Sequence, residues 1–133
     1  MKQLTVDIWN SLRALPLWVQ LWIWLVLVPV NFASIFIVYQ PLGFYITVLA
    51  IGGIMPNAVL LLLERGFSKA MAFSHIVLWP PLLVLILAIY QSPLETAYLG
   101  YLTLLFAVNA FSLVFDLHDA WRWIKGDRKV PRR

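Results

Sequence analysis

The side chains with most chemistry to offer are two histidines and a few carboxylates. Asp116, His118 and Asp119 crowd into "FDLHDAWR" (115–122), and His75 stands alone well before them. Carboxylates and imidazoles at this density are the donors of a metal centre, a haem ligand set or a proton relay. On a helix, residues two apart point nearly opposite ways, roughly 200° at about 100° per residue. His118 therefore faces away from Asp116, and "DLHD" does not form one compact three-ligand site. It splits into an inward acid, Asp116, whose candidate partner is His75, and an outer group of Asp119, His118, Trp121 and Arg122. A haem held between His75 and His118 meets the same objection of facing. No metal and no cofactor is expected. The chain has no cysteine, so disulfides, thiolate catalysis and sulfur ligation are excluded. It also has no HExxH, no Gly-rich phosphate loop and no nucleophile beside a base. The expectation is that it is not an enzyme.

The elements that position these residues follow from composition. Of 133 residues, 62% are hydrophobic and 12% charged, against about 45–50% and about 25% in ordinary soluble domains. A bilayer is the natural solvent for such a chain. Four apolar runs, 17–39, 42–63, 70–90 and 96–118, are each about 21–23 residues long. At about 1.5 Å per residue each crosses a hydrocarbon core of about 30 Å. The connecting segments are short, at Gln40-Pro41, 64–69 and 91–95. The ten Lys and Arg residues precede the first run, lie between the second and third (Arg65, Lys69), or follow the fourth. Four spans place all of them on one side, and the positive-inside rule makes that side cytoplasmic. The expected fold is an all-α integral membrane protein: an antiparallel up-down bundle of four transmembrane helices with both termini cytoplasmic. It forms a single transmembrane domain over 1–133. Its 1–16 segment, "VDIWNSLRALP" included, reads as a short interfacial helix, and 119–133 as a basic juxtamembrane tail.

Each span carries one seam at seven-residue spacing. The first holds Gln20, Trp24, Leu27, Asn31, Ser34 and Val38; the second includes Gly43, Ala50, Gly53 and Asn57. The third holds Ser68, His75, Leu82 and Ile86; the fourth includes Tyr98, Leu105, Asn109, Ser112 and Asp116. Such seams favour close left-handed packing. Counting from the cytoplasmic ends puts Asp116 roughly 3 Å deep, His75 and Ser112 about 8–9 Å, Asn57 about 10 Å and Asn109 about 13 Å. These five make a candidate polar pocket. Asn31, at roughly 20 Å, and Ser34 are a separate deep intramembrane polar pair. Two readings compete for the five. In one, they hydrogen-bond across helices and fix register, at around 0.6 kcal/mol each. In the other, His75 and Asp116 form a proton-accepting or ligand-binding pair facing the cytoplasm.

Pro29, Pro56 and Pro80-Pro81, with Gly52-Gly53 in "IGGIMPN", are candidate helix breaks. They are either static kinks or hinges around a transport site. In the tail, Arg122, Lys125, Arg128, Lys129, Arg132 and Arg133 are placed to meet the anionic headgroups of a lipid bilayer, at about 1 kcal/mol each. No nucleic-acid partner is expected. The segments "RGFSKAMAFSHIVLWPPL" (65–82) and "FSLVFDLHDAWRWIKGDR" (111–128) resemble small four-span inner-membrane proteins of proteobacteria. That resemblance implies a bacterial inner-membrane setting and supplies no activity or site residue. The expected role is a non-catalytic subunit, assembly factor or regulator of a membrane complex, with a protein partner or as a homo-oligomer. The alternative is an oligomeric small transporter or channel using His75 and Asp116. The small multidrug transporters are disfavoured, because the first run has no carboxylate.

Overall fold

The computed structural model describes residues 1–132, and they are all-helical in their regular elements. Arg133, counted above with the basic tail, lies outside the described residues. Helix α1 spans Lys2–Ala14. Pro16 forces the preceding Leu15 into an extended conformation (φ −72°, ψ 149°), as the residue before a proline requires. That ends α1, and the chain re-enters a helix at Leu17. Four helices are long and apolar enough to cross a membrane: α2 (Leu17–Ile37), α3 (Gly43–Leu63), α4 (Lys69–Ile89) and α5 (Thr96–Ile124).

Helix α2 is not regular. It runs as an α-turn over Leu17–Leu21, a π-segment over Trp22–Leu27, α again over Val28–Phe32, and 3-10 over Ala33–Ile37. Pro29 is the local cause. It has no N–H to give, and in an α-helix its ring would collide with the carbonyl of residue i−4. The π-segment opens the turn before it, and the Val28 N–H reaches back five residues to the Ile23 carbonyl. The wider turn rotates everything upstream. Trp24, expected on the inward seam, is 52% exposed. Trp22 packs against the core instead, with its ring 4.8 Å from that of Phe111.

The other candidate breaks do not interrupt their helices. Helix α3 runs through Gly52, Gly53 and Pro56, and α4 through Pro80 and Pro81. A proline inside a helix removes its own bond and leaves the ladder on both sides, a loss that packed apolar helices accommodate. Helix α5 continues six residues beyond the expected end at 118, to Ile124. Its stop is a Schellman turn: Gly126 takes φ +98°, its N–H bonds the Trp123 carbonyl, and the Asp127 N–H bonds the Arg122 carbonyl. A glycine is the residue that adopts that left-handed conformation without strain.

The core lies along the seams. Ile46, Ala50, Trp79, Leu82, Leu102 and Leu105 are fully buried. The opposite faces are apolar too and exposed, as at Trp18, Leu25, Leu63, Val77 and Val114. Apolar on both faces is the pattern of a helix with protein on one side and lipid on the other.

Candidate functional site

Three helices meet at His75. Its ring is buried and lies flat on Trp79, with centroids 3.8 Å apart and planes 6° from parallel. His75 Nδ1 is 3.0 Å from Asp116 Oδ2 on α5, and His75 Nε2 is 3.0 Å from Asn57 Nδ2 on α3. Asn57 Oδ1 accepts from the Ser74 hydroxyl at 2.9 Å, and the Gly53 carbonyl lies 2.8 Å from the same hydroxyl. Four side chains thus form one line: Asp116, His75, Asn57, Ser74. Trp79 anchors the stack through Nε1, which donates to the Ala50 carbonyl at 3.4 Å. It fits there because position 53 is glycine; a Cβ would lie 2.2 Å from Trp79 Nε1.

The remaining candidates divide differently from the expectation. Asn109 does not join His75. It pairs reciprocally with Asn31, at 2.8 Å and 2.9 Å, and Asn31 also donates to the Leu27 carbonyl. The length of α5 explains this. From Ile124, Asn109 lies about 22 Å along its helix and Asp116 about 12 Å; from Leu17, Asn31 lies about 21 Å along α2. Ending the fourth helix at 118 made both residues look shallower. Ser112 is buried one turn before Asp116 on the same face. Ser34 sits beside Asn31: its hydroxyl donates to the Asn31 carbonyl, and Thr47 of α3 donates to the Ser34 carbonyl. Tyr101 donates to the Val30 carbonyl at 2.6 Å, which ties α5 to the irregular half of α2. Among the described residues, no buried side-chain nitrogen or oxygen lacks a hydrogen-bond partner.

A third group of polar contacts gathers the charged residues. Asp7 on α1 meets Arg65 at 3.3 Å and Arg132 at 3.7 Å. Asp127 meets Arg122 at 2.5 Å and Lys69 at 3.6 Å. Partial desolvation pushes the Asp127 carboxyl up, but the Arg122 and Lys69 cations together bring it below the usual carboxylate range. Fully buried Ser11 accepts the Phe67 N–H at 2.9 Å. Lys125 and Arg128 lie over the rings of Trp121 and Trp123. Lys69 Nζ donates to the Lys129 carbonyl at 3.5 Å. The tail is thus folded onto α1 and the α3–α4 turn. His118 is exposed and apart from His75.

Ser74, Trp79 and Asp127 were not singled out from the sequence. Ser74 is one residue off the seam of His75, and Trp79 is not among the seam positions Ser68, His75, Leu82 and Ile86. The signal for Asp127 was Gly126, a helix stop that would have placed the acid against the turn.

Comparison with protein families, with curated proteins and with solved structures gives no match. The class is therefore read from the fold and the site alone. The described residues are all-helical in their regular elements, with four helices long and apolar enough to cross a membrane, the pattern of a multi-pass membrane protein.

Proposed function

We propose that the chain is a small multi-pass protein of the bacterial inner membrane, acting as a non-catalytic subunit, assembly factor or regulator of a larger membrane complex. In this reading α2 to α5 form an antiparallel up-down bundle with both termini in the cytoplasm. The placement of all ten Lys and Arg residues supports the orientation. The observation that carries the role is the mutual satisfaction of the interior polar groups. Asn31 with Asn109, and Asn57 with His75 and Asp116, spend their hydrogen bonds on one another. Such bonds specify which helix faces meet, at about 0.6 kcal/mol each. The exposed apolar faces then remain for lipid or for a partner's helices. Affinity purification from native membranes in mild detergent tests this. A partner recovered in fixed stoichiometry is expected. Recovery of this chain alone, under conditions that keep known complexes intact, contradicts it.

A second reading is favoured by one observation, the His75–Asp116 contact at 3.0 Å between ionisable groups inside candidate spans. Such groups mark ion and proton pathways in many membrane proteins. An oligomeric carrier or channel built on that pair predicts ion or proton flux in liposomes that His75→Leu or Asp116→Asn abolishes. Flux indifferent to both substitutions removes this reading.

A further inference from the structure

The line Asp116–His75–Asn57–Ser74 has a direction, set by the way the Asn57 amide faces. Asn57 Nδ2 can only donate, so His75 Nε2, 3.0 Å away, carries no hydrogen and accepts. A neutral imidazole has one N–H, so it is on Nδ1 and points at Asp116 Oδ2, 3.0 Å away. At the other end Asn57 Oδ1 accepts from the Ser74 hydroxyl. With the amide in this orientation, the His75–Asp116 pair holds one proton, on Nδ1 between imidazole and carboxylate.

A second proton changes the pattern in one way only. If His75 becomes an imidazolium, both ring nitrogens carry hydrogen. If Asp116 becomes a carboxylic acid that donates to Nδ1, the single imidazole hydrogen moves to Nε2. In either case Nε2 carries a hydrogen and faces the Asn57 NH2 group, two donors head to head. The repulsion is removed when the Asn57 amide turns over, so that Oδ1 accepts from Nε2–H and Nδ2 points at Ser74. Ser74 is suited to both arrangements. Its oxygen can accept from Asn57 Nδ2, while its own hydrogen goes to the Gly53 carbonyl at 2.8 Å or the Met71 carbonyl at 3.2 Å. Every group stays bonded in both states, so neither is blocked by an unpaired buried donor. The imidazole cannot avoid the choice by swinging away, because it is stacked on the fully buried Trp79.

We propose that the His75–Asp116 pair is a binding site for a single proton, and that the Asn57 amide on α3 turns over when the proton arrives. Arrival of the proton replaces a lone carboxylate charge by a neutral or internally compensated pair, the cheaper state away from water. The charged groups around it are few. On α5, Asp119 lies one turn beyond Asp116, with Arg122 after it; on α4, Lys69 stands at the helix start. Glu64 at the end of α3 is exposed, and α2 carries no charged side chain. The inference does not depend on whether the chain conducts ions.

The test is 15N NMR of the full chain in lipid nanodiscs, following the imidazole nitrogens and the Asn57 side-chain amide from alkaline to acid pH over the range in which the chain stays folded. His118→Gln assigns the two histidines. At the alkaline end His75 is expected as the Nδ1–H tautomer. On acidification the bare Nε2 signal is lost, and the Asn57 amide resonances shift at the same midpoint. Three results overturn the proposal: an Nε2–H tautomer at the alkaline end, a His75 transition with Asn57 unmoved, or no transition of the pair across the range.

Discussion

Gly52 and Gly53 are neighbours in one helix, yet the structure treats them differently. A Cβ at Gly52 would meet Leu78 Cδ1 at 3.4 Å, an ordinary contact. A Cβ at Gly53 would fall 2.2 Å from Trp79 Nε1 and 2.8 Å from its Cδ1. The indole cannot yield cheaply. It is fully buried, stacked on His75 and bonded to the Ala50 carbonyl. Gly53→Ala therefore overpacks the site, which costs about 1–3 kcal/mol. Loss of the indole hydrogen bond adds about 1 kcal/mol, and the better helix propensity of alanine returns about 1 kcal/mol. The net expectation is a destabilisation of about 1–3 kcal/mol for Gly53→Ala, while Gly52→Ala is neutral or gains up to about 1 kcal/mol. Reversible unfolding in mixed micelles, followed by helical circular dichroism, measures both. Trimming the obstacle should rescue the variant, so Trp79→Phe costs less in the Gly53→Ala background than alone. Equal stabilities for the two alanine variants would refute the close packing of α3 on α4 described here.

Two further perturbations follow from the other polar groups. Asn31→Leu or Asn109→Leu strands a partner that made two bonds. Each single variant is expected to cost about 1–2 kcal/mol and the double variant less than their sum, at about 0.6 kcal/mol per bond; additive costs in the same unfolding assay would deny the pairing. Asp127 sets a pH dependence in the tail. Its folded value lies below the ordinary carboxylate value of 3.8, so its contribution is fully present above that value and is lost as pH falls through the lower folded one. Limited proteolysis of the tail should therefore rise only in strong acid, and Asp127→Asn should raise it already at neutral pH. Cleavage unaffected by that substitution removes Asp127 as the clamp.

Much of the arrangement was legible because polar residues are scarce in an apolar chain. Seven-residue spacing put Asn57, His75 and Asp116 each on a seam, and the three side chains are in contact. What the spacing could not carry was any departure from 3.6 residues per turn. The π-segment before Pro29 turned Trp24 outward and Trp22 inward, and a fixed period has no term for an inserted residue. Depth failed where a helix end was misjudged. Amphipathic residues such as Trp121 and Arg122 looked like the wet end of the fourth span, whereas Gly126 is where the backbone turns. Asn109 was consequently grouped with His75 when its partner is Asn31. The run of like charges in the tail hides two contacts that fold it back: Asp127 meets Arg122 and Lys69, and Asp7 meets Arg132.

The proposed role rests on four spans with the charged ends gathered on one side. The chain has no cysteine, so a single introduced thiol reports its own side of the membrane. Gln40→Cys and Ser92→Cys lie in the α2–α3 and α4–α5 turns; Thr5→Cys and Lys125→Cys lie in α1 and just after α5. With a membrane-impermeant maleimide, the account predicts labelling of the first two in intact cells and of the last two only after permeabilisation. Labelling of Thr5→Cys or Lys125→Cys in intact cells, or protection of either turn position, would contradict it.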